Sequence, residues 1–310
     1  QEEGTQYFSV VDSYTRSAAF FGTANYSWKG RYSVNGTVRY EGTNKLGKSR
    51  SARWLPTWNV SGAWNIHEEP WFESVRSVLS NATLRASYSL TADRGPSSIT
   101  NSKVVITSYN PWRPSTDVSE SGLGINDVEN SELTYEKKHE FNIGANVGFL
   151  DNRINLELDW YRRNNYDLIG AVTTTGVGGR VTKYANVASM RSHGIEVSLS
   201  TRNIVTKDFK WNTDFIFSKT KNTVTDFDSN VRVIDMVTGT GFTMSGYPVR
   251  SLFSFNFQGL NEDGVPTFIN ESGQVTTSDI YFQEYNEKSH LVYEGSIDPT
   301  ITGSFGNVFT

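Results

Sequence analysis

Residues 18–40 read AAFFGTANYSWKGRYSVNGTVRY, and this stretch decides the fold class. Successive side chains of a β-strand point to opposite faces. In the first half the even positions are Ala18, Phe20, Gly22, Ala24, Tyr26 and Trp28, and the odd positions are Ala19, Phe21, Thr23, Asn25 and Ser27. Lys29-Gly30 then marks a tight turn. The second half resumes with Tyr32, Val34, Gly36, Val38 and Tyr40 against Ser33, Asn35, Thr37 and Arg39. Two alternating runs joined by a short turn predict a β-hairpin with one apolar and one polar face.

The same period continues outward from this hairpin. Trp58, Val60, Gly62, Trp64 and Ile66 alternate with Asn59, Ser61, Ala63 and Asn65, and Leu84, Ala86, Tyr88 and Leu90 with Arg85, Ser87 and Ser89. Beyond a long gap come Phe141–Phe149 and Ile154–Tyr161, separated by the turn Leu150–Arg153. Further runs are Ile195–Ser200, Phe209–Ser218 and Thr300–Thr310, which makes nine segments in all. The connections alternate in length. Lys29-Gly30, Pro70–Asn81, Asp151-Asn152 and Thr201–Asp208 form the short set, with a brief helical turn expected at Ser74–Leu79. Gly42–Leu55, Ala92–Thr134, Asp167–Met190 and Lys221–Asp298 form the long set. An up-and-down meander requires this alternation. Within Lys221–Asp298, Val249–Leu260 and Val265–Ile269 flank the turn Asp263-Gly264 and are expected to make a hairpin or extended loop outside the wall.

Composition narrows the class. The chain has 310 residues, a net charge of -4, no cysteine and 13% aromatic residues. No run approaches the roughly 20 apolar residues of a membrane-spanning helix. The lack of cysteine excludes disulfide scaffolds, thiolate metal sites and thiol catalysis. Balanced charge argues against nucleic acid as a partner. The aromatic content argues against disorder.

Energy decides which face meets which solvent. Arg or Lys facing lipid at mid-bilayer costs about 2–4 kcal/mol, and Asp or Glu less. Arg39, Arg85, Glu157 and Asp159 all lie on the polar rows. The apolar rows therefore face lipid and the polar rows a wet or plugged lumen. A soluble sandwich would bury the same apolar rows against a second sheet. Two features favour the membrane. Several segments are longer than the roughly 5–6 residues of a common globular strand. Tyr26, Trp28, Tyr32, Tyr40, Trp58, Trp64, Trp160 and Trp211 also recur near segment ends, as aromatic girdles do. The predicted fold is all-β: a partial transmembrane antiparallel β-barrel of about nine crossing strands. Bacterial single-chain barrels use an even number. Residues 1–310 are accordingly expected to be one segment of a larger barrel domain.

At this level the residues resemble a known family. Asn25-Tyr26-Ser27-Trp28, Arg31-Tyr32 and Arg39-Tyr40-Glu41-Gly42-Thr43 are similar to a hallmark segment of the SusC/RagA-type TonB-linked outer-membrane transporters, with Glu41 and Thr43 where Asp and Ser are usual. The runs LPTWNVSGAWNIHEEPWF (55–72), LRASYSLTADRG (84–95), NVASMRSHGIEVSLST (186–201) and IDPTITGSFGNVFT (297–310) resemble later family segments in order. So does the stretch from Glu129 to Ile169, with Ser131 for the usual Pro and Tyr135 for the usual Trp. The resemblance implies a 22-stranded barrel of a TonB-dependent receptor in the outer membrane of a Gram-negative, Bacteroidetes-like cell. On that reading the plug domain, TonB box and final strands are absent from the segment. It further implies import of oligosaccharides or oligopeptides, a SusD-like surface lipoprotein as lid, outer-membrane lipid around the wall, and TonB acting through the plug. A passive porin-type barrel and a soluble glycan-binding β protein are the alternatives.

No motif points to an enzyme or a cofactor. His67, His139, His193 and His290 make no metal-spaced pair. Nucleophile elbows and phosphate loops are missing too. Glu157 and Asp159 share one face about 7 Å apart, a spacing that could suit paired carboxylates but equally lumen polarity and salt links. Asp226-Phe227-Asp228 and Asn261–Gly264 are acidic turns that read as solvated loop acids, because neither completes a calcium loop. For ligand binding the aromatic and basic residues of the long connections stand out: Tyr109, Trp112, Arg113, Tyr166 and Tyr247. Aromatic platforms beside hydrogen-bonding groups suit sugars and peptides.

Overall fold

The computed structural model describes residues 14–95, 104–109, 122–173, 176, 182–227, 232–278, 280 and 290–310. The chain begins with β1 (Ser17–Trp28), β2 (Tyr32–Thr43), a four-residue helix α1 (Arg50–Arg53), β3 (Trp54–Asn65) and β4 (Leu79–Asp93). A small pair, β5 (Val105–Tyr109) and β6 (Gly122–Asp127), precedes β7 (Glu136–Phe149), β8 (Ile154–Thr173), β9 (Thr182–Val205) and β10 (Lys210–Phe227). A second short helix, α2 (Val233–Met236), leads into β11 (Ser251–Phe255), β12 (Phe257–Leu260), β13 (Pro266–Ile269), β14 (Val275–Thr276) and β15 (Leu291–Ser296), and β16 (Ile301–Phe309) follows.

Nine of these strands form one antiparallel sheet in the order β1-β2-β3-β4-β7-β8-β9-β10-β16. Each strand pairs with its neighbour in the meander, as the alternation of short and long connections predicts. The short strands β5/β6, β11/β15 and β12–β14 form separate small sheets and add no strand to the nine-stranded one. The sheet is open, with β1 and β16 at its edges and exposed along their whole length.

Among the described residues no second layer covers the apolar face. Val38 is 54% exposed, Val60 51%, Ile143 46% and Leu84 41%. In a sandwich these side chains would be core. The buried apolar residues lie mostly at the loop ends, in Leu46, Leu133 and Tyr135 and in Met236, Met244 and Phe253. An uncovered apolar face running across adjacent strands is far larger than a soluble monomer exposes. That removes the soluble-sandwich reading.

The register fixes how this wall stands in a bilayer. Starting at Trp28, the directly opposed partners run Tyr32, Trp64, Leu84, Ala145, Leu158, Val197 and Phe217. Trp28 ends β1 at a short turn, whereas Phe217 lies seven residues beyond the start of β10 at Lys210. Seven strand-to-strand steps thus shift the short-turn border by about one residue each. With about 3.3 Å per residue and 4.8 Å between strands, that stagger is a tilt of about 35°. The apolar belt drifts in the same way. Its long-loop border falls near Tyr40 on β2, Leu90 on β4, Phe141 on β7, Trp160 on β8 and Phe217 on β10. The belt is level only if the strands tilt as barrel strands do.

Aromatic girdles mark both borders. Near the short turns Trp28 stacks on Tyr32 at 5.8 Å, and Tyr32 on Trp64 at 6.2 Å. Glu69 ties this corner together. It accepts hydrogen bonds from the Tyr32 hydroxyl at 2.5 Å and the Trp64 indole at 3.1 Å, and it pairs with Arg31 at 3.4 Å. At the other border Tyr40 stacks on Trp54 at 5.0 Å, and Trp58 meets Tyr88 edge-on at 5.2 Å.

Three sequence expectations change. The strands β8, β9 and β10 run well past the periodic segments, so much of Asp167–Met190 is strand and not loop. The turn expected at Ser74–Leu79 is instead a pair of 3₁₀ turns at Ile66–Glu68 and Pro70–Val75. Pro70 at the first helical position fixes φ and sets that start. The β5/β6 pair inside Ala92–Thr134 carries no clear alternation, and sequence reading missed it.

Val38→Arg and Leu156→Arg place a cation on the lipid face, whereas Ser87→Arg places one on the lumenal face. In the full-length receptor the first two should each cost about 2–4 kcal/mol of insertion free energy and Ser87→Arg little. Heat-modifiable migration on gels reads the folded fraction in membranes.

Candidate functional site

The lumenal face is built from the polar rows. Arg85 of β4 lies opposite Gly144 of β7, which lies opposite Asp159 of β8. Because Gly144 has no side chain, Arg85 reaches over the intervening strand. It meets Asp159 at 2.9 Å and Glu157 at 2.9 Å. A Cβ on Gly144 would sit 2.3 Å from Asp159 Oδ1. The two carboxylates therefore share one guanidinium and form a salt link along the wall.

The same device recurs one strand pair further on. Tyr161 of β8 lies opposite Gly194 of β9, which lies opposite Thr220 of β10. The Tyr161 ring crosses Gly194, is 3% exposed, and its hydroxyl is 2.8 Å from Thr220 Oγ1. A Cβ on Gly194 would lie 2.5 Å from that hydroxyl. On β7 and β8, Glu140 gathers Arg163 at 3.0 Å and Lys138 at 2.9 Å. Arg163 also lies over the Tyr161 ring at 3.9 Å. Partly exposed pairs of this kind contribute at most about 1 kcal/mol each. Their effect is to hold long polar side chains flat against the wall.

Two concave regions face the lumen. The first is lined by Asn25, Asn35, Ser87, Asn142, Glu157 and Asp159, around the Arg85 bridge. The second lies towards the long-loop end and includes Thr57, Asn59, Thr91 and Asp93. There Arg39 and Arg94 both address Glu41, at 2.5 and 3.5 Å. Both present hydrogen-bonding groups of either sense, and the second also exposes the apolar side chains of Leu55, Leu90 and Ala92. Among the described residues no group of His, Asp and Glu could hold a metal ion.

Three of the five ligand candidates lie among the described residues. Tyr109 lies on β5, its backbone opposite Gly122 of β6 and away from the main sheet. Trp112 and Arg113 lie outside the described residues. Tyr166 lies on the outward row of β8. It stacks on His139 at 5.7 Å, and His139 stacks on Tyr88 at 5.7 Å, extending the girdle beyond the belt. Lys137 is 5.7 Å from the Tyr166 ring. Tyr247 belongs to the folded segment between β10 and β16. Its ring packs edge-on against Phe253 at 5.1 Å, close to Met236 and Met244. Among the described residues, Tyr109, Tyr166 and Tyr247 sit on different parts of the structure. Sequence reading missed the glycine-spanning bridges. Their only trace is a glycine on the polar row, in Asn142-Ile143-Gly144 and Ser192-His193-Gly194.

The segment after β10 is anchored to the wall. Val224 N–H donates to the Tyr247 carbonyl at 2.8 Å, and Gly246 N–H returns a bond to the Val224 carbonyl at 2.8 Å. Within it, Arg232 clasps the Asp235 carboxylate at 2.8 Å. These hydrogen bonds hold the Asp235 carboxyl below the usual carboxylate range. A depressed acid stabilises above its unfolded pKa of about 3.9 and loses that contribution as pH falls through the folded value.

A family model described as "TonB dependent receptor-like, beta-barrel" matches residues 3–293. The TonB-dependent receptor SusC of Bacteroides thetaiotaomicron is 27% identical over 286 residues, covering 83% of this chain and 27% of that protein. TonB-dependent receptor P3 of Formosa agariphila is 25% identical over 257 residues, covering 81% of this chain and 25% of that protein. The chain thus spans about a quarter of the length of these relatives. Among solved structures, that of the RagAB peptide transporter superposes with a TM-score of 0.77 at 23% identity, over 96% of this chain and 31% of the other. The family match displaces the passive-porin reading, and the family is one of transporters, not enzymes.

Two outcomes follow from these contacts. Gly194→Val forces Tyr161 off its seat and should cost about 1–3 kcal/mol, read as a lower midpoint of heat-modified migration. Protection of the α2 turn from hydrogen exchange should hold at neutral pH and fall as pH drops below about 4. Asp235→Asn should abolish that pH dependence.

Proposed function

The chain belongs to the TonB-dependent receptor-like β-barrel family, and on that premise we propose that it forms part of the wall of an outer-membrane importer of oligosaccharides or oligopeptides. A SusD-like surface lipoprotein is its lid, and TonB acts through a plug elsewhere in the receptor. The observation that carries this reading is the two-faced sheet. Its uncovered apolar belt suits lipid, and its lumenal face is lined with Asn, Ser and bridged charges. Such a lumen offers weak, replaceable hydrogen bonds to a polar solute.

The partnership and the substrate class find support in the likenesses. The fold match is to a structure described as the RagAB peptide transporter, and SusC is among the sequence relatives. Tyr109, Trp112 and Arg113 fall in the long connection between β4 and β7, and in this reading they contact ligand. Tyr166 and Tyr247 support the outer ends of the wall through the ring contacts described above.

Native mass spectrometry of the full-length receptor extracted from outer membranes tests the proposal. A co-purifying lipoprotein with a bound oligosaccharide or oligopeptide is the expected result. A receptor recovered alone, with neither partner nor ligand under any growth condition, would overturn it.

A further inference from the structure

The outward rows of β8, β9 and β10 turn basic as soon as they leave the apolar belt. Trp160 is followed two residues later by Arg162, and Phe217 by Lys219 and Lys221. On β9, which runs the other way, Ile195 is preceded by His193 and Arg191. The register places Arg162 opposite His193, and His193 opposite Lys221. These three side chains stand in one row at roughly 5 Å intervals, with Lys219 about 7 Å below and Arg191 about 7 Å above. All five are exposed. Among the described residues none forms an ion pair with a carboxylate. Arg191 donates only to the Asn164 side-chain carbonyl, at 3.2 Å.

This arrangement is unfavourable in water alone. Arg162, Arg191, Lys219 and Lys221 gather within about 10 Å of His193, and each raises the potential at the others. Elsewhere on the wall cations are neutralised, as Arg85, Lys138 and Arg163 are by Glu140, Glu157 and Asp159. At the short-turn border Arg153 and Arg202 donate to backbone carbonyls. The cluster on β8–β10 has neither remedy.

Its position defines what would neutralise it. The cluster sits on lipid-facing rows, at the top of the belt, on the side of the long connections, which is the outer leaflet. Trp160, Ile195 and Phe217 directly beneath it are acyl-chain contacts. We propose that this patch is a docking site for the phosphate-bearing headgroup of an outer-leaflet glycolipid. Arg162 and Arg191 would clasp phosphate oxygens through their planar forks, and Lys219 and Lys221 would add point charges. The acyl chains would lie down the apolar rows of the same three strands. The inference rests on the outer-membrane wall and not on what the receptor imports.

The test uses the full-length receptor, delipidated in detergent and titrated with monophosphorylated lipid A under native mass spectrometry. One lipid should survive activation that strips detergent. Arg162→Gln with Lys221→Gln removes two charges without adding repulsion. This pair should fold normally, as heat-modifiable migration reports, and bind the lipid about thirtyfold more weakly. Lipid A treated with phosphatase should not be retained. Equal retention by the double variant, or of the dephosphorylated lipid, would overturn the proposal. Displacement of lipid A by millimolar inorganic phosphate would also overturn it, since the patch would then hold a free anion. If the double variant failed to fold, Arg191→Gln with Lys219→Gln gives the same reading from the flanks of the row.

Discussion

A wall one residue thick separates two solvents here, and inside lipid no water can complete an unpaired backbone hydrogen bond. Every amide of the crossing strands must therefore be satisfied by the neighbouring strand, and the ladders of the nine-stranded sheet are what the rest depends on. The ladder imposes the register. The register imposes which side chains meet lipid and which meet the lumen. The stagger of about one residue per strand then imposes the tilt. Stability in this setting does not come from an interior core. The sheet has two coverings, lipid on one side and bridged polar groups on the other.

The lumenal bridges follow from the same geometry. Neighbouring strands stand about 4.8 Å apart, so a side chain that reaches the next strand but one must cross about 10 Å. Arginine and tyrosine are long enough, but only if the middle residue leaves room. Gly144 and Gly194 leave that room, and each bridge joins three strands at one level. Sliding one strand by a single residue would invert its faces and break the bridge as well.

Much of this was legible in the sequence wherever two unlike solvents wrote their difference onto alternate residues. The alternation in Ala18–Tyr40, Leu84–Leu90 and Phe141–Trp160 gave strand, face and order directly. Legibility ended where the apolar belt ends and both rows turn polar. Beyond Trp160 the residues Arg162, Arg163, Asn164 and Asn165 are polar on both rows, so the pattern vanishes while the ladder continues. The candidate binding residues were chosen by type and place in the long connections. That reasoning could not show that Tyr247 packs into a local core or that Tyr166 joins an outward aromatic row, because His139 and Tyr293 are distant in sequence. The bridging glycines were equally hidden, since their meaning lies in residues on two other strands.

The direct pairing of β10 with β16 bears on how such a receptor can change over generations. The intervening residues enter and leave the wall at adjacent points, and they enclose their own small core around Met236, Met244 and Phe253. The entropy of closing a chain excursion grows only slowly with its length. Such a cassette can therefore be lengthened, shortened or exchanged by recombination while the strands on either side keep their register. The wall would be inherited almost unchanged, and the parts presented to the outside would turn over quickly.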